Sequence, residues 1–352
     1  MKNNPKKQCS EFFAAQNSYF GFISHFDSIF DSEKFDAIFV LKGGPGTGKS
    51  SFMKKIAKRF ENEADITKIY CSSDANSLDG VIIAKENRQV AILDGTAPHQ
   101  RDAVIPGAVD ELINLGECWR SEKLKERKEE ILSLNNEKKA YYNVAYDFLS
   151  IAGLFYQRIT KKCNALIDKS RAHKLICELC SGLDGGARYG GDLLLSAFGK
   201  EGYQTLPSAV SHTDETVRIT GDYFSAAAFM DMLCREFSIR RIKHTIYPAP
   251  LNPDIPETVI VSAGEKSIAY STAFGKKEIS TSDLLAPNQN ERAILNLYLT
   301  ETQKYENLAR DSFEAASKVH FILEDIYTPL MDFSAIDKII TNTEKKIAEA
   351  IE

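Results

Sequence analysis

Between residues 35 and 94 the chain alternates short apolar runs with polar, glycine-bearing connections. Ala37 to Leu41 is a continuous apolar run with the length of a buried strand. Met53, Ile56, Ala57 and Phe60 then recur at threes and fours, the spacing of one helix face. Ile66 to Cys71 and Val90 to Leu93 read as further strands, the latter ending on Asp94. Strands interleaved with helical stretches predict an α/β fold built on a parallel sheet.

A different pattern starts at Leu124. Ile131, Leu134, Tyr141, Ala145, Phe148, Ala152, Phe155 and Ile159 recur at threes, fours or their sums, a seam of coiled-coil type, with a bend expected at Asn135-Asn136. Lys123 to Glu130 supply a mixed-sign solvated face. The stretch from Asn290 to Glu352 has the same style, with Ile294, Leu297, Leu308, Phe313, Ala316 and Val319, and should break near Pro329.

The two patterns occur twice. Shifting the chain by 177 residues lays Val217 on Val40, Gly221 on Gly44, Phe229-Met230 on Phe52-Met53 and Phe237 on Phe60. One inserted residue then matches Val81-Ile82-Ile83 with Val259-Ile260-Val261 and Val90-Ala91 with Ile268-Ala269. Upstream, Gly21-Phe22 pairs with Gly202-Tyr203. The reading is two tandem domains, 1–182 with a helical arm at about 117–180 and 183–352 with an arm at about 288–352, a size that suits a chain of 352 residues.

The chemistry is concentrated in Gly43-Gly44-Pro45-Gly46-Thr47-Gly48-Lys49-Ser50-Ser51, which satisfies G-x-x-x-x-G-K-[ST] between the expected strand and helix. Glycines let backbone N–H groups converge on phosphate oxygens, and the helix start adds partial positive charge. Lys49 is then the cation for the β- and γ-phosphates, and Ser50 offers its hydroxyl to Mg²⁺. Asp94 is the strand-end carboxylate for the same metal, but position 95 is Gly and supplies no water-activating acid. Asp74, then Asp79 and His99, are further candidates, placed in loops beyond strand ends. Arg88, Arg101 and Arg188 are candidate arginine fingers. In the second copy Ser225, Ala226, Ala227 and Thr272 stand for Gly48, Lys49, Ser50 and Asp94, so the phosphate chemistry is lost together.

Composition narrows the classes. Lys plus Arg number 44 against 49 Asp plus Glu, a net charge of −5, so nucleic acid is not indicated. No apolar run approaches a membrane span, the first residues lack the apolar core of a secretory signal, and a cytoplasmic location is expected. Seven scattered Cys suit reduced thiols, and Cys177-x-x-Cys180, among Leu175, Ile176 and Leu179, reads as a buried helix stripe.

The blocks Leu41 to Ser50, Cys71-Ser72-Ser73-Asp74 through Val81, Asp94 to His99, Pro106 to Glu111 and Asn114-Leu115-Gly116 resemble a family of bacterial ATPase-like proteins, common in Firmicutes and built from two tandem P-loop domains. The resemblance implies ATP binding and hydrolysis, and the second P-loop is degenerate here where the family often keeps one. The expected function is Mg²⁺-dependent binding of a nucleoside triphosphate, ATP before GTP because no N-K-x-D occurs, with slow or partner-stimulated hydrolysis by the first domain. Two alternatives stand beside it. One is a small-molecule or nucleotide kinase in which Asp74 or Asp79 orients an acceptor. The other is a non-enzymatic, nucleotide-operated switch whose arms recruit a protein partner.

Overall fold

The structure, a computed structural model, describes residues 7–183, 189–190, 192–263 and 266–352. The first half runs β1 (Cys9–Phe13), β2 (Ala15–Ser18), β3 (Gly21–Ser24), α1 (Phe26–Ile29), β4 (Ala37–Lys42), α2 (Lys49–Phe60), β5 (Asp65–Tyr70), β6 (Leu78–Lys85), β7 (Arg88–Asp94), β8 (Asp110–Asn114), α3 (Ser121–Glu126), α4 (Lys128–Leu166) and α5 (Lys169–Leu179). The second runs β9 (Tyr189–Gly190), β10 (Ser196–Gly199), β11 (Gly202–Thr205), β12 (Glu215–Thr220), α6 (Ser225–Ile239), β13 (His244–Pro248), β14 (Pro256–Ala263), β15 (Lys266–Ser271), β16 (Lys277–Ser280), α7 (Gln289–Tyr327) and α8 (Phe333–Ala350).

The fold is mixed α/β, and its two six-stranded sheets share one topology. The first is ordered β1-β5-β6-β7-β4-β8 and the second β9-β13-β14-β15-β12-β16. β4 is parallel to both neighbours, β7 and β8, and so is β12 to β15 and β16. β6 is antiparallel to β5 and β7, and so is β14 to β13 and β15. Both sheets are therefore mixed, where the sequence pattern predicts parallel ones. β6 turns into β7 across residues 86–87, and a connection that short reverses the chain, since a parallel partner needs a crossover of a dozen or more residues.

The helix after the central strand seals each sheet. α2 buries Phe52, Met53, Ile56, Ala57 and Phe60 against Phe39, Leu41, Val81 and Ile92. α6 buries Phe229, Met230, Leu233, Cys234 and Phe237 against Val217, Ile219, Val259 and Tyr270. A fully buried Phe of this kind stabilises by roughly 1.5–3 kcal/mol. The helices keep the expected offset of 177, but Val217 and Ile219 occupy the places of Phe39 and Leu41, an offset of 178. From the buried strand positions to the buried helix face the chain is thus one residue shorter in the second half.

The arms do not pack on the cores they succeed in the chain. Ile336, Ile340 and Ile347 of α8 join the first core, whereas Ala172 and Ile176 of α5, with Ile159 and Cys163 of α4, join the second. Isolated bridges, Trp119 with Met331 and Ile167 with Leu285, tie each arm to its adopted core. The chain accordingly divides into one unit of Met1–Ala15, Ser24–Asn143 and Ser312–Glu352 and another of Gln16–Ile23 and Val144–Asp311. The boundary expected between 182 and 183 falls inside the second of these units. An amphipathic helix needs an apolar sheet, not a sequence neighbour, and a helix of 39 residues is about 58 Å long.

Two details of the arms also differ from the pattern. α4 runs unbroken through Asn135-Asn136, where the Asn135 amide donates to the Ile131 carbonyl at 2.9 Å within the helix. Its buried face is Ala145, Leu149, Ala152, Tyr156, Ile159 and Cys163, while Phe148 and Phe155 lie beside Tyr305 of α7. On α7 Ile294 and Leu297 point outward, and Leu295, Phe313, Ala316 and Val319 are buried. α7 ends at Tyr327, two residues before Pro329, as the sequence predicts. Among the described residues no helix is long and apolar enough to cross a membrane.

Candidate functional site

In the first unit the glycine-rich loop joins β4 to α2. Gly46 and Gly48 adopt φ of 66° and 81°, the left-handed region that side chains resist. Gly48 caps α2, so Lys49 is the first helical residue and Ser50 the second. Thr47 closes the loop from within, its hydroxyl donating to the Gly44 carbonyl at 2.8 Å.

β4 and β7 are parallel and place Leu41 opposite Asp94. That register brings the strand-end carboxylate to the helix start, with Asp94 Oδ2 3.6 Å from Lys49 Nζ and both side chains mostly buried. The Lys49 ammonium also donates to the carbonyls of Gly43 at 2.8 Å and Gly44 at 3.1 Å. Asp94 Oδ1 accepts from the Thr96 N–H at 2.8 Å and hydroxyl at 2.6 Å, which fixes the carboxylate's orientation. The Ser50 hydroxyl accepts from the Leu78 N–H at 3.0 Å, and Ser51 is exposed.

Neighbours from distant helices complete the site. Glu324 of α7 lies against Gly46 and pairs with His320 at 3.5 Å. The His320 contact, then the loop N–H and Lys49, hold its carboxyl below the usual range against the cost of burial. Lys138 of α4 is partly buried, and burial followed by the nearby charge of Lys49 lowers its pKa. Trp119 and Tyr327, with ring centroids 5.7 Å apart, close over Gly44, where a Cβ would come within 3.3 Å of the indole. Sequence reasoning missed these residues because no local pattern marks them; helices remote in the chain deliver them.

The remaining candidates separate. Asp74 lies in the 71–77 connection and accepts from the Asn76 N–H at 3.1 Å, the turn-forming role open to any Asp there. Asp79 is not in a loop but on β6, buried, with its carboxylate 3.2 Å from His99 Nε2. His99 in turn stacks on Phe26, centroids 4.1 Å apart. Arg88 pairs with Asp36 at the start of β7, the end of that strand away from Asp94, and Arg101 is buried against Ser32 and Asp110. Both are thereby engaged in structure, and Arg188 lies outside the described residues.

In the second unit Thr272 succeeds β15 as Asp94 ends β7, and Ala226 and Ala227, second and third residues of α6, stand at the places of Lys49 and Ser50. Cys180 is buried as read, but Cys177 is half-buried and lies 3.5 Å from His173. Those two and Glu236 form a three-residue cluster with metal-ligand chemistry. Arg240 donates to both Cys177 and Glu236, so a guanidinium already neutralises it.

No family model, curated protein or solved structure matches this chain.

Proposed function

We propose that the first unit is a P-loop-type site that binds Mg²⁺ and a nucleoside triphosphate, ATP in preference to GTP, and hydrolyses it slowly or under a partner's stimulus. The observation that carries the reading is the convergence of Lys49, Ser50 and Asp94 at one end of the β4–β7 pair beneath a loop of glycines. The donor set fits the ligand. The loop N–H of Gly46 helps to lower the pKa of the nearby Glu324 carboxyl, and the Lys49 ammonium rests on loop carbonyls that a phosphate would outcompete.

In this reading the loop N–H groups and Lys49 hold the phosphates, while the Ser50 hydroxyl and Asp94 hold the metal, which supplies Lewis-acid stabilisation of phosphate charge when bound. Lys138 adds a second cation near Lys49. Gly95 brings no carboxylate to Asp94's side, and the buried Asp79 is committed to His99, so neither position supplies a base for water. Turnover is therefore slow. The second unit is a degenerate copy of the same type, and both together agree with the tandem ATPase-like family that the motifs resemble.

Calorimetric titration of ATP into wild type and Lys49→Ala, each checked by circular dichroism, tests the site. The variant should lose at least a hundredfold in affinity with its fold kept, and undiminished binding overturns the assignment. Product analysis then divides the reactions. Phosphate released to water supports the ATPase, phosphate found only on an added acceptor supports a kinase, and partner capture without turnover supports a switch.

A further inference from the structure

The second unit carries a cavity of about 350 Å³ at the mouth of β12 and α6, where the first unit has its glycine-rich loop. That volume is in the range of small-molecule pockets, roughly 300–1,000 Å³. Its walls are not those of a phosphate site. Ala226, Ala227 and Thr272 line it where the first unit has Lys49, Ser50 and Asp94. Glu257 lines it as well, buried on β14.

Glu257 is the counterpart of Asp79, since β6 and β14 hold the same place in matching sheets at an offset of 178. The two carboxylates differ in company. Asp79 has His99 at 3.2 Å, whereas Glu257 accepts only from the Ser196 hydroxyl and has no cationic partner among the described residues. The same cavity is lined by Tyr19, Tyr156 and Phe224, whose rings form a chain with centroids 5.2 and 4.7 Å apart. Phe224 is held at φ 63°, a conformation rare for a bulky side chain. A buried carboxylate with no cationic partner among the described residues, in a cavity also lined by aromatic rings, has the chemistry of a cation site.

We propose that this cavity binds a small organic cation, an alkyl- or arylalkyl-ammonium whose charged head pairs with the Glu257 carboxylate against the rings of Tyr19, Tyr156 and Phe224. Anions are disfavoured by the same carboxylate and by the missing lysine. The other titratable groups facing the cavity are Tyr203, exposed at its edge, and Arg218, an exposed residue of β12. Glu306 stands behind, accepting from the hydroxyls of Tyr19 and Tyr203. Burial raises the pKa of Tyr19 and Tyr156, so their rings stay neutral. Glu257, pushed up to about 7 by burial, is the group that titrates near neutrality.

The test is calorimetric titration of the full chain, without nucleotide, with butylammonium, 2-phenylethylammonium and the neutral 2-phenylethanol. Its outcome is therefore independent of the ATP reading. At pH 8 the ammonium ions should bind at least tenfold more tightly than the alcohol, and their affinity should fall roughly tenfold by pH 6 as Glu257 takes up a proton. Glu257→Gln should erase the preference for charge, and Ala227→Phe, which fills the cavity from α6, should remove binding with Glu257 intact. Equal binding of alcohol and ammonium, a charge preference that survives Glu257→Gln in a folded variant, or no binding of either ammonium at millimolar concentration overturns the proposal.

Discussion

Glu324 packs against the glycine-rich loop at Gly46, although the two residues lie 278 positions apart. Gly46 is pressed against the C-terminal end of α7, since a Cβ on it would meet the Thr328 hydroxyl at 2.6 Å and the Glu324 backbone carbonyl at 3.1 Å. An anionic side chain thus stands close to the loop that a phosphate would need. Glu324→Gln should weaken that competitor and tighten Mg²⁺–ATP by roughly tenfold, the worth of one hydrogen bond to a charged group. Because contact with His320 and the loop holds Glu324 below the usual carboxylate range, the gain should be constant from pH 6 to 8. Weaker ATP binding by the variant would show that Glu324 supports the site.

Asp94 faces Lys49 and is oriented by Thr96, so its replacement by Asn removes charge and keeps shape. Asp94→Asn should reduce the ratio of ATP affinities measured with Mg²⁺ and with EDTA by about tenfold, leaving the EDTA value little changed. An unchanged ratio would move the metal to another carboxylate.

Only one nucleotide should bind per chain. The β12–α6 connection has four residues against six in the glycine-rich loop, and Ala226, Ala227 and Thr272 give a triphosphate neither the cation, the serine hydroxyl nor the carboxylate of the first unit. Titration with a non-hydrolysable analogue against active protein concentration checks the stoichiometry. A second equivalent that persists in Lys49→Ala would show phosphate binding in the second unit.

Glu257 makes stability depend on pH. Its carboxyl is pushed up to about 7 from 4.5, so between those values the folded state holds a proton that the unfolded chain has lost. Its contribution to stability therefore falls as pH rises through this window and stays low above it. Glu257→Gln should match wild type near pH 4 and exceed it by up to about 3 kcal/mol at pH 8, read from urea unfolding. A variant less stable at pH 8 than wild type would mean that the ionised carboxylate has a partner.

The glycine spacing, the strand before it and the helix face after it are local properties, and a single stretch of sequence was enough to place Lys49, Ser50 and Asp94 on their elements. The repeat was legible for a related reason: the Val81-Ile82-Ile83 and Val259-Ile260-Val261 blocks keep the same buried face, and the neighbouring Asp79 and Glu257 align with them. An apolar helical stripe, by contrast, says that a face will be buried and not which sheet will bury it. Only the tertiary structure decided that α8 covers the first core and α5 the second, that α7 carries Glu324 to Gly46, and that Glu257, without a cationic partner among the described residues, shares a cavity with aromatic rings. The hydrophobic effect is non-directional and local sequence sets only each element's own geometry, so partners distant in the chain are chosen by shape and charge once the elements meet.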